Sequence, residues 1–228
     1  MRSNQVVQPL RASVPFVAPA CIVFFLVRTR RQIIRNNFVK DCSWPKGNSL
    51  MARYHDKEWG KPVKNDRKIF EFLVLESAQA GLSWLTILKK RDSYRKVFAN
   101  FEPRLVARFG ARDVEKLLKN PNIVRNRFKI EAAINNAKRF LEIQKEFGTF
   151  SKYMWSFVEG RPIDGGRINS KELPAVTEES IALAGDLKKR GFKFLGPTVV
   201  YAHMQAVGMV NDHTRSCFRH NELKNLVK

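Results

Sequence analysis

LKKRGFKFLGPTVVYAHMQAVG, residues 187–208, is the stretch that decides the fold. Lys188, Lys189 and Arg190 suit the last turn of a helix, where cations complement the negative end of the dipole. Gly191 follows, the residue that most readily takes the left-handed conformation closing a helix. Only FKFLG remains before Pro197, with Gly196 suited to the N-cap and Pro197 to the first helical position. The spacing predicts two helices joined by a tight glycine-bounded turn, a helix-hairpin-helix. Open N–H groups at the start of the second helix can bind a phosphate, and Lys193 adds charge. An ordinary turn inside an all-α core would read the same way, so the turn alone does not separate the two.

Helical punctuation continues upstream. Asn65 or Asp66 can cap NDRKIFEFLVLESAQAG, which Gly81 can end, and Ser83 can cap WLTILKKRDSYRKVF. Residues 124–147 form a long amphipathic pattern with Ile130, Ile134, Ala137 and Leu141 on one stripe. Thr149 or Ser151 starts KYMWSFV, a polar loop follows over 159–176, and Thr177 caps TEESIALAGDLKKRG. Few stretches alternate as strands would. An all-α domain over 41–228 is expected.

Composition narrows the partners. The chain has 228 residues, a net charge of +21 and 17 Phe. That length and aromatic content suit one good-sized core, and that charge predicts attraction to polyanions, nucleic acid first and an anionic membrane second. Three cysteines, Cys21, Cys42 and Cys217, are too few for a disulfide framework and suit a reducing compartment. Residues 1–40 read differently, with seven Arg/Lys, no acid and an apolar run from Val14 to Val27 interrupted by Pro15 and Pro19. Fourteen residues fall short of a membrane span. This segment reads as a disordered extension, a targeting segment or the product of a mis-assigned start. Taking its seven cations from +21 leaves +14 on the main domain.

One acid stands where a core residue belongs. In the helix around 67–80, Glu71 reads as the wet side, and Glu76, about 140° further round, points inward. A buried carboxylate is costly unless paired or hydrogen-bonded, and a structural ion pair with an arginine is the plainest explanation. Aromatics nearby in sequence, Trp84 after the helix and Trp44, Tyr54 and Trp59 before it, offer another: a pocket for a cationic aromatic ligand.

His213 and Cys217 are four apart in NDHTRSC, which on a helix puts both on one face. Cys42 and His55 are the upstream candidates. Each pair alone is a weak signal. Together they form a Cys2His2 set suited to structural, tetrahedral zinc, which would join the N-terminal and C-terminal segments of the domain. His220 is a competing ligand.

The segments CSW, YHDKEWG, LESAQAGLSWLTILKKR, IVRNRFKI, WSFV, LKKRGFKFLGPT and MQAVGMVNDH, in this order from Cys42 to Cys217, resemble the 3-methyladenine DNA glycosylase I family. The resemblance implies the helix-hairpin-helix glycosylase fold and removal of N3-methyladenine from double-stranded alkylated DNA in base-excision repair. It implies the zinc ligands Cys42, His55, His213 and Cys217, and a base pocket of Glu76, Tyr54 and Trp84 with Trp44 close by. Leu82 matches a position near the gap left in the duplex, and Lys193, Gly196 and Thr198 fall in the DNA-binding hairpin. Asn211, with Asp212 beside it, stands where many relatives in the superfamily carry a catalytic Asp, and no Lys is there for Schiff-base chemistry. A monofunctional glycosylase without lyase activity is therefore expected, acting as a monomer in the bacterial cytoplasm with the nucleoid, or in an organelle if residues 1–40 are a transit segment. Met51 departs from the family, which often has an aromatic there. The rival expectations are a zinc-stapled DNA-binding protein without catalysis and a membrane-associated basic protein using residues 14–27.

Overall fold

The structure, a computed structural model, describes residues 42–45 and 47–226. The expectations for residues 1–40, the membrane reading included, lie outside the described residues. Among the described residues no helix is long and apolar enough to cross a membrane.

Helix α1, Ser49–Lys57, starts where the Asn48 side chain accepts from the amides of Leu50 and Met51. Helix α2, Asp66–Gln79, is capped by Asn65 and is buried without a break from Ile69 to Ala78. Its sequence is apolar nearly all round, so it becomes the central helix. It packs against α3 (Trp84–Val97), α6 (Arg127–Phe147), α7 (Phe150–Trp155) and α9 (Pro197–Ala206). Ser83 caps α3 and Thr149 caps α7, as their sequence positions predict. Between α3 and α6 lie the short helices α4, Pro103–Val106, and α5, Ala111–Lys119.

Asp66 does not cap its own helix. Its carboxylate accepts from the amides of Phe150 and Ser151, both at 2.8 Å, and from Gln144 at 2.6 Å. A carboxylate at the N-terminus of α7 is favoured by the dipole, and it locks α7 and α6 to the start of α2.

Two helices joined by a short turn form at the predicted positions. Helix α8, Glu178–Lys189, is capped by Thr177, and α9 begins at Pro197 with Gly196 as N-cap. In the connecting turn Phe192 and Leu195 are buried while Lys193 and Phe194 are exposed, so two apolar anchors hold a cationic tip.

Two local expectations fail. The loop after α7 contains a two-residue strand, Ile163–Asp164, paired in parallel with Val210–Asn211. His213 and Cys217 are not on a helix. They sit in an irregular turn, and Cys217 is the N-cap of α10, Phe218–Asn225. The turn still brings their ligand atoms together, because a four-residue loop can close as tightly as a helical turn.

Candidate active site

Three helices build the site. Helix α1 carries Tyr54, α2 carries Glu76, and α3 opens on Trp84. The rings of Tyr54 and Trp84 lie 5.3 Å apart, and Trp44 stands 6.3 Å from Tyr54. Glu76 is 4% exposed. Burial alone pushes its carboxyl up to about 8, because no neighbouring cation offsets the loss of water. Burial first, and the Glu76 charge second, raise the Tyr54 hydroxyl well above its usual range. The Trp84 Nε1–H is buried without an acceptor. The site therefore combines an acid that burial keeps protonated, flat rings and an unused donor. Such a set suits a planar ligand that carries both positive charge and hydrogen-bonding edges.

The predicted wet side of α2 is a correction. Glu71 is buried, at 5% exposure, and accepts from Arg91 at 2.8 Å, Arg95 at 2.7 Å and Lys68 at 2.9 Å. The same Arg91 guanidinium grips both oxygens of Glu58, at 2.8 and 2.7 Å. One side chain of α3 thus fastens the end of α1 to the middle of α2. Burial works against the charged forms of both acids, but Arg91 and Lys68 outweigh it, holding Glu58 down to about 2 and Glu71 below its ordinary value. The structural ion pair considered for Glu76 exists at Glu71 instead.

Leu82, at 40% exposure, projects from the turn between α2 and α3. Lys193, Gly196 and Thr198 are exposed around the hairpin. Sequence reasoning missed what holds these two turns. Lys129 donates to the carbonyls of Ala78 and Ala80, and Asn136 pairs with the Lys193 backbone through both halves of its amide. Asn136 was legible only as a polar residue interrupting an apolar stripe.

The second cluster joins the two ends of the domain. The ligand atoms of Cys42, His55, His213 and Cys217 lie within 4.8 Å of one another, and all four residues are buried. Cys217 Sγ is 3.6 Å from His55 Nε2 and 3.5 Å from His213 Nδ1, and Cys42 Sγ is 3.8 Å from His213 Nδ1. Tetrahedral zinc with usual bond lengths spaces sulfur and nitrogen ligands about 3.6 Å apart. The outward nitrogens also have partners, His55 Nδ1 with Asp56 at 2.7 Å and His213 Nε2 with the Trp59 carbonyl at 3.1 Å. Such bonds fix the tautomer that turns the other nitrogen toward a metal. The hydrogen bond from Cys217, working against burial and helped by His213 and His55, holds the Cys42 thiol far down, toward thiolate. The four residues could therefore hold a divalent cation.

Trp59 belongs to this cluster rather than to the pocket. Its ring packs 4.5 Å from that of His213. Gly60 is required beside it: φ is +76°, and a Cβ would come within 2.9 Å of Leu223 and 3.1 Å of the His213 ring. His220 is not a rival ligand, since its Nε2 pairs with Asp164 at 2.8 Å. Asp212, the other acid of the last segment, is engaged too. It accepts from Tyr201, from Gln205 at 2.7 Å and from Arg167 at 3.1 Å.

Known proteins resemble this chain over most of its length. A family model described as methyladenine glycosylase matches residues 44–220. The DNA-3-methyladenine glycosylase of Haemophilus influenzae is 46% identical over 176 residues, covering 77% of this chain and 95% of the relative. DNA-3-methyladenine glycosylase 1 of Escherichia coli is 45% identical, covering 77% and 94%. A structure of 3-methyladenine DNA glycosylase I from Staphylococcus aureus, determined to show how 3-methyladenine is recognised, superposes with a TM-score of 0.77. It is 40% identical and covers 79% of this chain and 96% of its own. With the family model and two close relatives spanning most of the described domain, this chain belongs to the methyladenine glycosylase family.

Proposed function

We propose that this protein is a DNA-repair glycosylase that removes N3-methyladenine from alkylated duplex DNA by hydrolysing the N-glycosidic bond. The observation that carries the reading is Glu76, a buried acid with no cationic partner beside the Tyr54–Trp84 pair. A binding module has no use for such an acid, while a cationic base supplies the missing charge.

The chemistry follows from the residues. The damaged nucleotide leaves the stack and its base enters the pocket. N3-methylation makes adenine a cation and a ready leaving group, so little general-acid assistance is needed. Tyr54 and Trp84 stack on the cationic ring, with Trp44 closing the wall behind Tyr54. The incoming charge favours ionised Glu76, which releases its proton and accepts a hydrogen bond from the base edge. The glycosidic electron pair departs with the base, which leaves neutral, and water adds to the sugar carbon and loses a proton. No lysine stands at 211–212, and Asp212 is held by Tyr201, Gln205 and Arg167, which supports a monofunctional enzyme.

The hairpin acts as a helix-hairpin-helix, Lys193, Gly196 and Thr198 meeting the DNA backbone while Leu82 enters the gap left by the extruded base. Cys42, His55, His213 and Cys217 hold a structural zinc ion that ties the two ends of the domain together. Four protein ligands leave no open position for catalysis. The enzyme works as a monomer beside the nucleoid in a bacterial cytoplasm, or in an organelle if residues 1–40 direct it there.

The test is base release from N-methylated duplex DNA by the full-length protein. Free 3-methyladenine is expected, with an intact abasic strand and no borohydride-trapped adduct. DNA binding without release from folded protein would replace this reading with a zinc-stapled DNA-binding protein.

A further inference from the structure

Helix α6 reaches both turns that the proposed function places on DNA. In its first turn Lys129 Nζ donates to the Ala78 carbonyl at 2.9 Å and the Ala80 carbonyl at 2.5 Å. These belong to the end of α2, where carbonyls lack helical partners and a cation suits the dipole. The ammonium thereby fixes where the chain leaves α2 for the turn carrying Leu82. Further along, Asn136 is fully buried. Its Oδ1 accepts from the Lys193 amide and its Nδ2 donates to the Lys193 carbonyl, both at 2.8 Å. A buried amide is tolerated when both halves are satisfied, and here one backbone residue of the hairpin satisfies both. Asn135 adds a bond to the Gly191 carbonyl at 2.8 Å.

Lys129 and Asn136 are seven residues apart in one helix. That is about 10 Å of rise, with both side chains within about 20° of the same face. A helix is stiff over two turns, so the two anchors cannot drift independently.

We propose that Lys129 and Asn136 are positioning residues, which hold the Leu82 turn and the Lys193–Thr198 turn at one fixed spacing so that a single duplex meets both at once. The proposal rests on the reading of those turns as DNA contacts. Lys129 is bonded to the Ala78 and Ala80 carbonyls and Asn136 to the Lys193 amide and carbonyl, so each acts through a backbone it holds.

The test uses the full chain with Lys129→Met, Asn136→Ala, the double variant and Lys129→Arg. The probes are a duplex with a tetrahydrofuran abasic analogue, for affinity, free 3-methyladenine, for pocket binding, and methylated duplex, for turnover. Each single variant is expected to weaken abasic-duplex binding about tenfold. Free-base affinity and kcat at saturating DNA stay within about twofold, so the loss falls on KM. Lys129→Arg, which keeps donors for the two carbonyls, recovers most of the affinity. The double variant loses less than the product of the two single losses, because a turn whose partner is already released gains little from its own anchor. Wild-type DNA affinity in both single variants would overturn the proposal. So would free-base and DNA affinities falling together, the sign of general loosening, or losses that simply multiply. If Asn136→Ala does not fold, Asn135→Ala, which removes the bond to Gly191 and the 3.2 Å bond to the Asn136 Oδ1 while leaving Asn136 on the Lys193 backbone, takes its place. A wild-type protein that releases no base would count against the glycosylase reading, while the affinity measurements would still decide the spacing.

Discussion

Glu71 and Glu76 sit five residues apart on one helix, and both are almost completely buried. Their surroundings treat them in opposite ways. Glu71 faces Arg91, Arg95 and Lys68, and its carboxyl is held below the ordinary value. Glu76 lies close enough to Tyr54 to act on its hydroxyl, and burial pushes its own carboxyl up to about 8. One acid is spent on the fold, fastening three helices. The other is left in want of a positive charge, and that want is available for binding. Burial by itself therefore does not single out a carboxylate as a candidate for function, whereas burial without a cation does.

Mutations can break or sharpen this contrast. The largest effect is expected from Glu71→Ala, which takes one of two carboxylate partners from the buried Arg91, leaving it Glu58 alone, and should cost about 3 kcal/mol in urea unfolding. A loss under about 1 kcal/mol would make the Glu71 cluster no better than a surface pair. Arg91→Lys keeps the charge but gives up the two-pronged grip on Glu58, and unfolding should show about 2 kcal/mol less stability. On the Glu76 side, Trp84→Leu should weaken free 3-methyladenine binding by about 1 kcal/mol in calorimetry, the loss of a ring for the flat base to stack on.

Titration gives the smallest effect and the clearest sign. Glu76 has a folded-state value near 8, above the ordinary 4.5, so the folded protein holds the proton that the unfolded chain gives up. Its contribution is fully present below about 4.5 and is lost as pH rises toward 8, about 1 kcal/mol between pH 6 and 7. Glu58 runs the other way. Its value near 2 gives stability that is present above 4.5 and is lost as pH falls through 2. Unfolding curves of wild type and Glu76→Gln should therefore diverge from pH 5 to 8 and run parallel below pH 4. Parallel curves over the whole range would remove the distinction between the two acids.

Much of this was legible in the sequence because it is local. Asn65, Ser83, Thr149 and Thr177 announce their helices through bonds to residues three further on. The inward phase of Glu76 follows from the helical repeat. The same repeat misplaced Glu71, since its partners Arg91 and Arg95 lie 20 and 24 residues away and Glu58 joins them from another helix. Phase tells which way a side chain points, not what waits for it. The spacing of His213 and Cys217 suggested a helix and found a turn, yet the four side chains still converge, because a turn can bring sulfur and imidazole donors together as a helix can. The two-residue strand at Ile163 and the amide of Asn136 on the Lys193 backbone left almost no local trace. Both depend on contacts more than forty residues apart in the chain.

The most direct measurement compares wild type with Glu76→Gln in single-turnover release of 3-methyladenine, alongside unfolding of both proteins at pH 8. The variant should release base at least about a hundredfold more slowly while being no less stable, since glutamine removes a carboxyl that the fold does not need. Release at the wild-type rate, or a loss of rate matched by a loss of stability, would contradict the assignment of Glu76 to the substrate.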